Sequence, residues 1–224
     1  MILSAGIDEA GRGPVIGPLI ISCIVLDDNQ KDKMKKIGVK DSKKLTLSKR
    51  EKLFDNIVVD ANEVIIKIIT PEEIDNAVRG KNVKNLNELE AMYISKIISE
   101  ILSDVKIIYI DSPYQDTLKF LSLLHKYYPQ INKYKIIAEN KADIKYIEVS
   151  AASIVSKVIR DSIIEELKNK YGDFGSGYPS DKKTRNFLIS WYKKYKDFPP
   201  IVRKSWKTLQ KIIDRNTDIQ QKLM

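Results

Sequence analysis

The chain has one cysteine, Cys23, and one histidine, His125, in 224 residues. A lone cysteine excludes an internal disulfide and fits a reducing compartment. One thiol and one imidazole cannot assemble a tetrahedral zinc site. Cys23 stands among Ile20, Ile21, Ile24 and Val25, which makes it a small core residue rather than a nucleophile. His125 lies on the surface of a helical run, Thr117–Tyr128. No apolar run approaches the ~18–20 residues of a membrane span. The N-terminus has no basic segment followed by a cleavage site, so a cytoplasmic location with no membrane partner is expected. A G-x-x-x-x-G-K-[ST] phosphate loop is absent too, which weighs against a nucleotide-dependent phosphotransferase. Internal repeats and long low-complexity tracts are missing.

Positive charge is in excess. The net charge is +9, with 43% hydrophobic and 31% charged residues. Such a chain is globular, large enough for a real core, and biased toward a polyanionic partner, of which nucleic acid is the commonest.

Apolar runs place strands at Met1–Asp8 and Leu19–Leu26, joined by a turn in which Gly11, Gly13, Pro14, Gly17 and Pro18 forbid a helix. Residues 27–44 are polar and lysine-rich. A helix follows, with Ser48 and Glu51 in capping-box spacing, and then a third strand, Val64–Ile69. Thr70-Pro-Glu-Glu73 starts another helix. A longer one is capped by Asn87 with Glu90 and has Leu89, Tyr93, Ile97 and Ile101 at helical spacing. Lys106–Ile110 and Tyr134–Glu139 are the fourth and fifth strands, the latter followed by a polar loop, Asn140–Asp143. Ser150 opens a helix running to about Tyr171, with Gly172 as its cap. Beyond it come a turn-rich loop and two basic, aromatic helical segments, 182–196 and 204–215, with a polar tail after Asp214. Two regions result, 1–172 and 173–224. The order is mixed α/β, with an antiparallel start and later parallel crossovers.

Acids stand where strands end: Asp8 and Glu9 after the first, Asp111 after the fourth, Asp143 just beyond the fifth. If the first and fourth strands are parallel neighbours, Asp8 and Asp111 meet at one sheet edge. Crowded carboxylates repel unless a cation sits among them. Oxygen-only ligands favour Mg²⁺ or Mn²⁺, and two such ions about 4 Å apart can cleave a phosphodiester.

Five blocks resemble a known family. They are Gly6-Ile-Asp-Glu-Ala-Gly-Arg-Gly-Pro14, Asp41-Ser-Lys-Lys-Leu45, Tyr109-Ile-Asp-Ser-Pro113, Lys141-Ala-Asp143 with Val149–Asp161, and Gly175-Ser-Gly-Tyr-Pro-Ser-Asp181. In order and content they resemble ribonuclease HII, the type 2 ribonuclease H. Asn87-Glu-Leu-Glu90 and Val202-Arg-Lys-Ser-Trp-Lys-Thr208 are similar to its archaeal branch. The resemblance implies a ribonuclease H-like α/β fold: a mixed five-stranded sheet flanked by helices, with a C-terminal helical extension. It implies hydrolysis of the RNA strand of RNA/DNA hybrids and cleavage 5′ to ribonucleotides embedded in duplex DNA, leaving 3′-hydroxyl and 5′-phosphate ends. Replication and repair are the implied setting, and a monomer is expected.

Carried over by position, the resemblance makes Asp8, Glu9, Asp111 and Asp143 the catalytic acids that hold two Mn²⁺ or Mg²⁺ ions. Gly11, Arg12 and Gly13 match the segment that reads the ribose 2′-hydroxyl, mainly through backbone groups. Tyr178 matches a tyrosine at the RNA–DNA junction. Lys43 and Lys44 match a basic segment able to meet phosphates. Arg160 and Asp161 read as an exposed helix pair. Arg185, Lys193, Lys204 and Lys207, interleaved with Trp191, Tyr192 and Trp206, fit a duplex-gripping surface, though core packing explains the tryptophans equally. Asn140 stands where many relatives have histidine, and Lys182 where proline often follows. Gln220-Gln-Lys-Leu-Met224 lacks the terminal aromatics of a sliding-clamp motif, so clamp binding is not expected. A hybrid-binding module without turnover is the competing reading, and intact acids at all four positions argue against it.

Overall fold

The computed structural model describes residues 2–39, 45–114 and 116–221, except for the side chains of Leu47 and of residues 215–221. In chain order the elements are β1 (Leu3–Ala10), β2 (Leu19–Leu26), α1 (Asp28–Ile37), α2 (Leu47–Asp60), β3 (Glu63–Ile69), α3 (Pro71–Val78), α4 (Leu86–Glu100), β4 (Val105–Asp111) and α5 (Thr117–Tyr127). A 3₁₀ turn (Pro129–Lys133) leads to β5 (Lys135–Glu139), α6 (Ala142–Lys145), α7 (Ile147–Tyr171), α8 (Lys182–Tyr195) and α9 (Lys207–Gln221).

The described strands form one sheet in the order β3-β2-β1-β4-β5. The pairs β1–β2 and β2–β3 are antiparallel, whereas β1–β4 and β4–β5 are parallel. The mixed α/β fold expected from the sequence is the one observed. Its parallel half arises because α4 and α5 carry the chain back across the sheet before β4 and β5.

Strand alternation divides the sheet's two faces. Ala5, Ile7, Leu19, Ile21, Cys23, Ile108 and Ile110 bury against α3, α4 and α5, and Cys23 is the core residue its neighbours predicted. On the other face Ile24 and Leu26 pack with α1, α2 and the small residues Ala151 and Ala152 of α7. Helix α7 lies so close to β1 that a Cβ on Gly6 would fall 2.2 Å from the Glu148 carbonyl carbon. Ser22 Oγ donates to the Ala152 carbonyl across the same contact, at 2.7 Å.

A third core joins the far end of the chain to the first turn: Val15, Ile16 and Ile164 pack with Phe174, Leu188, Phe198, Ile201 and Leu209. Here Ile16 bridges Val202, and the Val15 and Ile16 N–H groups donate to the Gly177 carbonyl at 2.8 and 3.2 Å.

Several local expectations need correction. The lysine-rich segment after β2 contains a helix, α1, started by an Asp27–Gln30 capping box and ended by Gly38 in the left-handed region. Helix α2 is capped by Thr46, not Ser48. Helix α4 is capped by Asn85, which frees Asn87 and Glu90 for another role. Asp143 sits on the first turn of α6 rather than in a loop, and α7 begins at Ile147. Helix α9 continues past Asp214 to Gln221. The Thr70–Glu73 capping box stands as read. No helix among the described residues is long and apolar enough to cross a membrane.

Candidate active site

Parallel pairing sets Ile7 opposite Ile110, so the next residues, Asp8 and Asp111, are neighbours on the α7 face of the sheet. β5 then turns directly into α6, which delivers Asp143. One carboxylate oxygen from each of Asp8, Asp111 and Asp143 lies within 4.8 Å of the others. Two links hold the loops that carry them. The Ala142 N–H donates to Asp111 Oδ1 at 3.2 Å. Asn140 Nδ2 donates to the carbonyls of Ser112 and Tyr114, so this side chain ties the two acidic loops together.

Asp8 is buried, and desolvation pushes its carboxyl up to about 7. The Ser153 hydroxyl and Lys157 on α7 work against that rise, while the charge of Asp111 adds to it. Lys157 Nζ donates to Ser153 Oγ at 2.6 Å, so both are oriented at this face.

Glu9 follows Asp8 along the strand and therefore leaves on the other face. It falls outside the 4.8 Å cluster. Burial drives its carboxyl well above the usual range, and the charges of Asp8, Glu90 and Asp111 add to that. Glu90, 1% exposed, is pushed up to about 7 by burial against the pull of Arg12.

The Arg12 side chain is turned inward. Its Nε donates to Glu90 Oε1 at 2.8 Å and its Nη2 to Asn87 Oδ1. The Arg12 side chain stays 37% exposed, Gly11 is buried, and Gly13 exposes its backbone. Tyr178, 42% exposed, lies against it: a Cβ on Gly13 would touch the tyrosine ring at 3.6 Å. Gly11, at φ +89°, could carry no Cβ without meeting the Arg160 side chain and the Pro18 carbonyl at 2.6 Å.

Arg160 corrects the exposed-pair expectation. It is 6% exposed, its guanidinium lies 5.8 Å from the Tyr178 ring centroid, and burial lowers its pKa. Asp161 pairs with Arg50 of α2 at 3.2 Å and lies 4.0 Å from Arg160 Nη1. The second buried arginine, Arg203, gave no sequence signal beyond the family resemblance of its segment. It is 0% exposed and held down at about 9 by burial, with the charge of Arg160 adding to the effect.

Lys43 and Lys44 lie outside the described residues. Of the C-terminal residues read as a gripping surface, Arg185 donates to the carbonyls of Pro179 and Ser180, and Lys204 pairs with Asp197. Lys193 and Lys207 are exposed. The tryptophans are packing residues: Trp191 makes tilted ring contacts with Tyr171, Phe187 and Tyr195, and Trp206 covers Arg203.

Residues 5–209 match the family model described as ribonuclease HII. The chain is 49% identical over 208 residues to the ribonuclease HII of Pyrococcus furiosus, covering 92% of this chain and 89% of that one. The chain belongs to the ribonuclease HII family. The crystal structure of the ribonuclease H2 from Pyrococcus horikoshii superposes with a TM-score of 0.87 at 46% identity, covering 96% of this chain and 98% of that one. A ribonuclease HII of Archaeoglobus fulgidus, solved as a complex with PCNA, gives 0.81 at 39% identity over 93% and 96% of the two chains. As a ribonuclease HII the chain is a metal-dependent endoribonuclease of the ribonuclease H class, which hydrolyses the RNA strand of RNA/DNA hybrids.

The residues present fit a divalent cation. The cluster offers oxygen donors only, and the cost of ionising the buried Asp8 beside Asp111 is the cost a bound cation removes.

That cost gives a pH prediction. Without metal, the folded protein keeps a proton on Asp8 that the unfolded chain releases near 3.8. The native state then binds more protons between about pH 4 and 7, so metal-free stability falls as pH rises through that window. Metal competes with the proton, so stabilisation by Mg²⁺ grows over the same range and levels off above pH 7. Urea unfolding at pH 5, 6, 7 and 8, with EDTA or with Mg²⁺, measures both slopes. A metal increment that is flat with pH would count against Asp8 as a ligand.

Proposed function

We propose that this ribonuclease HII cuts the RNA strand of hybrids and also duplex DNA on the 5′ side of an embedded ribonucleotide, leaving 3′-hydroxyl and 5′-phosphate ends. The observation that carries the reading is the adjacency of two features on one stretch of chain. The carboxylates of Asp8, Asp111 and Asp143 converge, and three residues after Asp8 begins a glycine turn with a tyrosine against it.

In this reading the clustered Asp8, Asp111 and Asp143, joined by Glu9 from outside that cluster, would hold two Mg²⁺ or Mn²⁺ ions. When bound, the ions supply the activation of the attacking water and the stabilisation of the departing 3′-oxygen. The protein's part is positional. Asp8 is fixed by the Glu9 N–H at 2.7 Å and by Ser153, and Asp111 by the Ala142 N–H. Gly11, Arg12 and Gly13 meet the ribose through backbone groups, and the 2′-hydroxyl is the feature that separates RNA from DNA there. Tyr178 offers its exposed ring to the sugar at the junction. Lys43, Lys44 and the net charge of +9 favour the phosphate backbone, with residues 173–224 acting as the substrate-binding extension. A monomeric cytoplasmic enzyme that removes ribonucleotides during replication and repair fits this chemistry. A sliding clamp is not among the partners we propose.

Cleavage-site mapping tests the reading. A duplex with one ribonucleotide and a matched RNA/DNA hybrid are incubated with Mg²⁺ or Mn²⁺. The expected product from the first is a single cut 5′ to the ribonucleotide, with a 3′-hydroxyl that a polymerase can extend. Cutting of the hybrid alone would reject the embedded-ribonucleotide part.

A further inference from the structure

The three consecutive carbonyls of the glycine turn all point toward one segment near the end of the chain. Arg203 Nη2 donates to the Gly11 carbonyl, and Arg203 Nη1 to the Arg12 carbonyl at 2.9 Å. Trp206 Nε1 donates to the Gly13 carbonyl at 3.3 Å. The same guanidinium sends Nε to the Gly17 carbonyl at 3.0 Å and lies 5.0 Å from the Trp206 ring centroid. Four backbone acceptors are thus met by two side chains, one of them wholly buried.

The donors are themselves fixed. The Arg203 N–H donates to the Val15 carbonyl at 2.9 Å, and the Gly17 N–H to that of Ile201 at 2.8 Å. Asp75 on α3, buried, accepts the N–H groups of Lys204 and Ser205 at 2.7 and 2.8 Å and the Ser205 hydroxyl at 2.6 Å.

In a trans peptide the N–H of one residue points opposite to the carbonyl of the residue before it. The peptides of this turn are trans. Pinning the Gly11 and Arg12 carbonyls therefore aims the N–H groups of Arg12 and Gly13 away from Arg203. Among the described residues neither N–H donates to a protein acceptor. The Arg12 side chain is tied to Glu90 and Asn87 of α4, which adds a further anchor to the turn.

We propose that Arg203 and Trp206 are positioning residues for ribonucleotide recognition, holding the carbonyls of Gly11, Arg12 and Gly13 so that two backbone N–H groups face the ribose. This rests on the reading of that turn as the ribose sensor. Neither side chain touches substrate; both act through the backbone they hold. A lysine at 203 keeps the charge but cannot serve three diverging carbonyls at once. A phenylalanine at 206 keeps a ring over the guanidinium and removes only the donor to Gly13.

The test is fluorescence anisotropy in EDTA, where no cleavage occurs, with two duplexes that differ in a single 2′-hydroxyl. Wild type is expected to bind the ribonucleotide duplex more tightly. Arg203→Lys lowers that preference about threefold to tenfold, because the lost bonds hold the turn and not the ribose, so only part of their worth reaches the binding preference. Trp206→Phe lowers it about twofold to threefold. Affinity for the all-DNA duplex stays within about twofold in both, an outcome that a merely structural role would not produce. An unchanged preference in folded variants, or an equal loss on both duplexes, overturns the proposal. If Arg203→Lys fails to fold by circular dichroism, Trp206→Phe decides. A wild type without preference would instead remove the ribose reading of the turn. Amide exchange at Gly11–Gly13 then judges the positioning alone: faster exchange in the variants supports it, and unchanged exchange overturns it.

Discussion

Asp8→Asn is expected to lower cleavage of a duplex carrying one ribonucleotide by at least about a hundredfold to a thousandfold, the cost of removing one charge-stabilising group from an active site. The substitution keeps the side chain's shape and an oxygen for the Glu9 N–H, now at 2.7 Å. It removes the negative charge that, with Asp111 and Asp143, makes the cluster a cation site. The fold has no need of that charge. Burial holds the Asp8 carboxyl up at about 7, so above that pH the wild-type protein carries an unfavourable buried anion unless metal is bound. The metal-free variant is therefore expected to be at least as stable as wild type at pH 8, and its increment from Mg²⁺ should shrink or vanish. A gel assay in Mg²⁺ and in Mn²⁺, beside thermal melts with and without metal, reads all three effects. Undiminished cleavage by a folded Asp8→Asn protein would sink the assignment.

Gly6→Ala is expected to cost at least about 3 kcal/mol of stability, toward the upper end for overpacking. The added carbon would stand 2.2 Å from the Glu148 carbonyl carbon, 2.3 Å from the Val149 nitrogen and 2.5 Å from the Glu148 oxygen. All three are backbone atoms of α7, so no rotamer change relieves the clash; the helix itself must lift from the sheet. That movement would carry Ser153 away from Asp8 and pull on α6, where Asp143 sits, so activity should fall with stability. Gly38→Ala is the control. Gly38 also has a demanding backbone, φ +90°, but no atom lies within 4 Å of its added carbon. Strain alone should cost about 1 kcal/mol there and spare activity. Urea denaturation of the two variants compares them directly, and equal losses would contradict the packing account.

Much of the site was legible in the sequence because its residues are local signals. Asp8 and Asp111 could be read as strand-end acids, and they share an edge once the first and fourth strands prove to be parallel neighbours. The glycine turn was legible because glycine and proline exclude a helix there. Arg203 was not legible in this way. An arginine in a basic C-terminal segment looks like a phosphate contact, and only a contact between residues nearly two hundred positions apart turns it into a backbone clamp. Asn87 and Glu90 were misread for a similar reason: their spacing fits a helix cap, but Asn85 takes the cap and the pair receives Arg12 instead. Arg160 misled in the same direction, because the tertiary packing of Gly11, Gly177 and Tyr178 buries a charge that helix periodicity leaves in water.

By itself, then, the sequence determined the family, the α/β order of elements, the carboxylate chemistry and the turn beside it. These depend on residue type and short spacing, and the physics that enforces them acts within a strand, a turn or a helix start. The tertiary structure alone decided how far the acids converge, which face Glu9 takes, and which cations are buried behind the turn. Those depend on β1 pairing with β4, on α7 seating against Gly6, and on residues 201–206 closing over Val15–Gly17. Each is a contact between distant segments, fixed by shape and desolvation, which no local pattern of residues encodes.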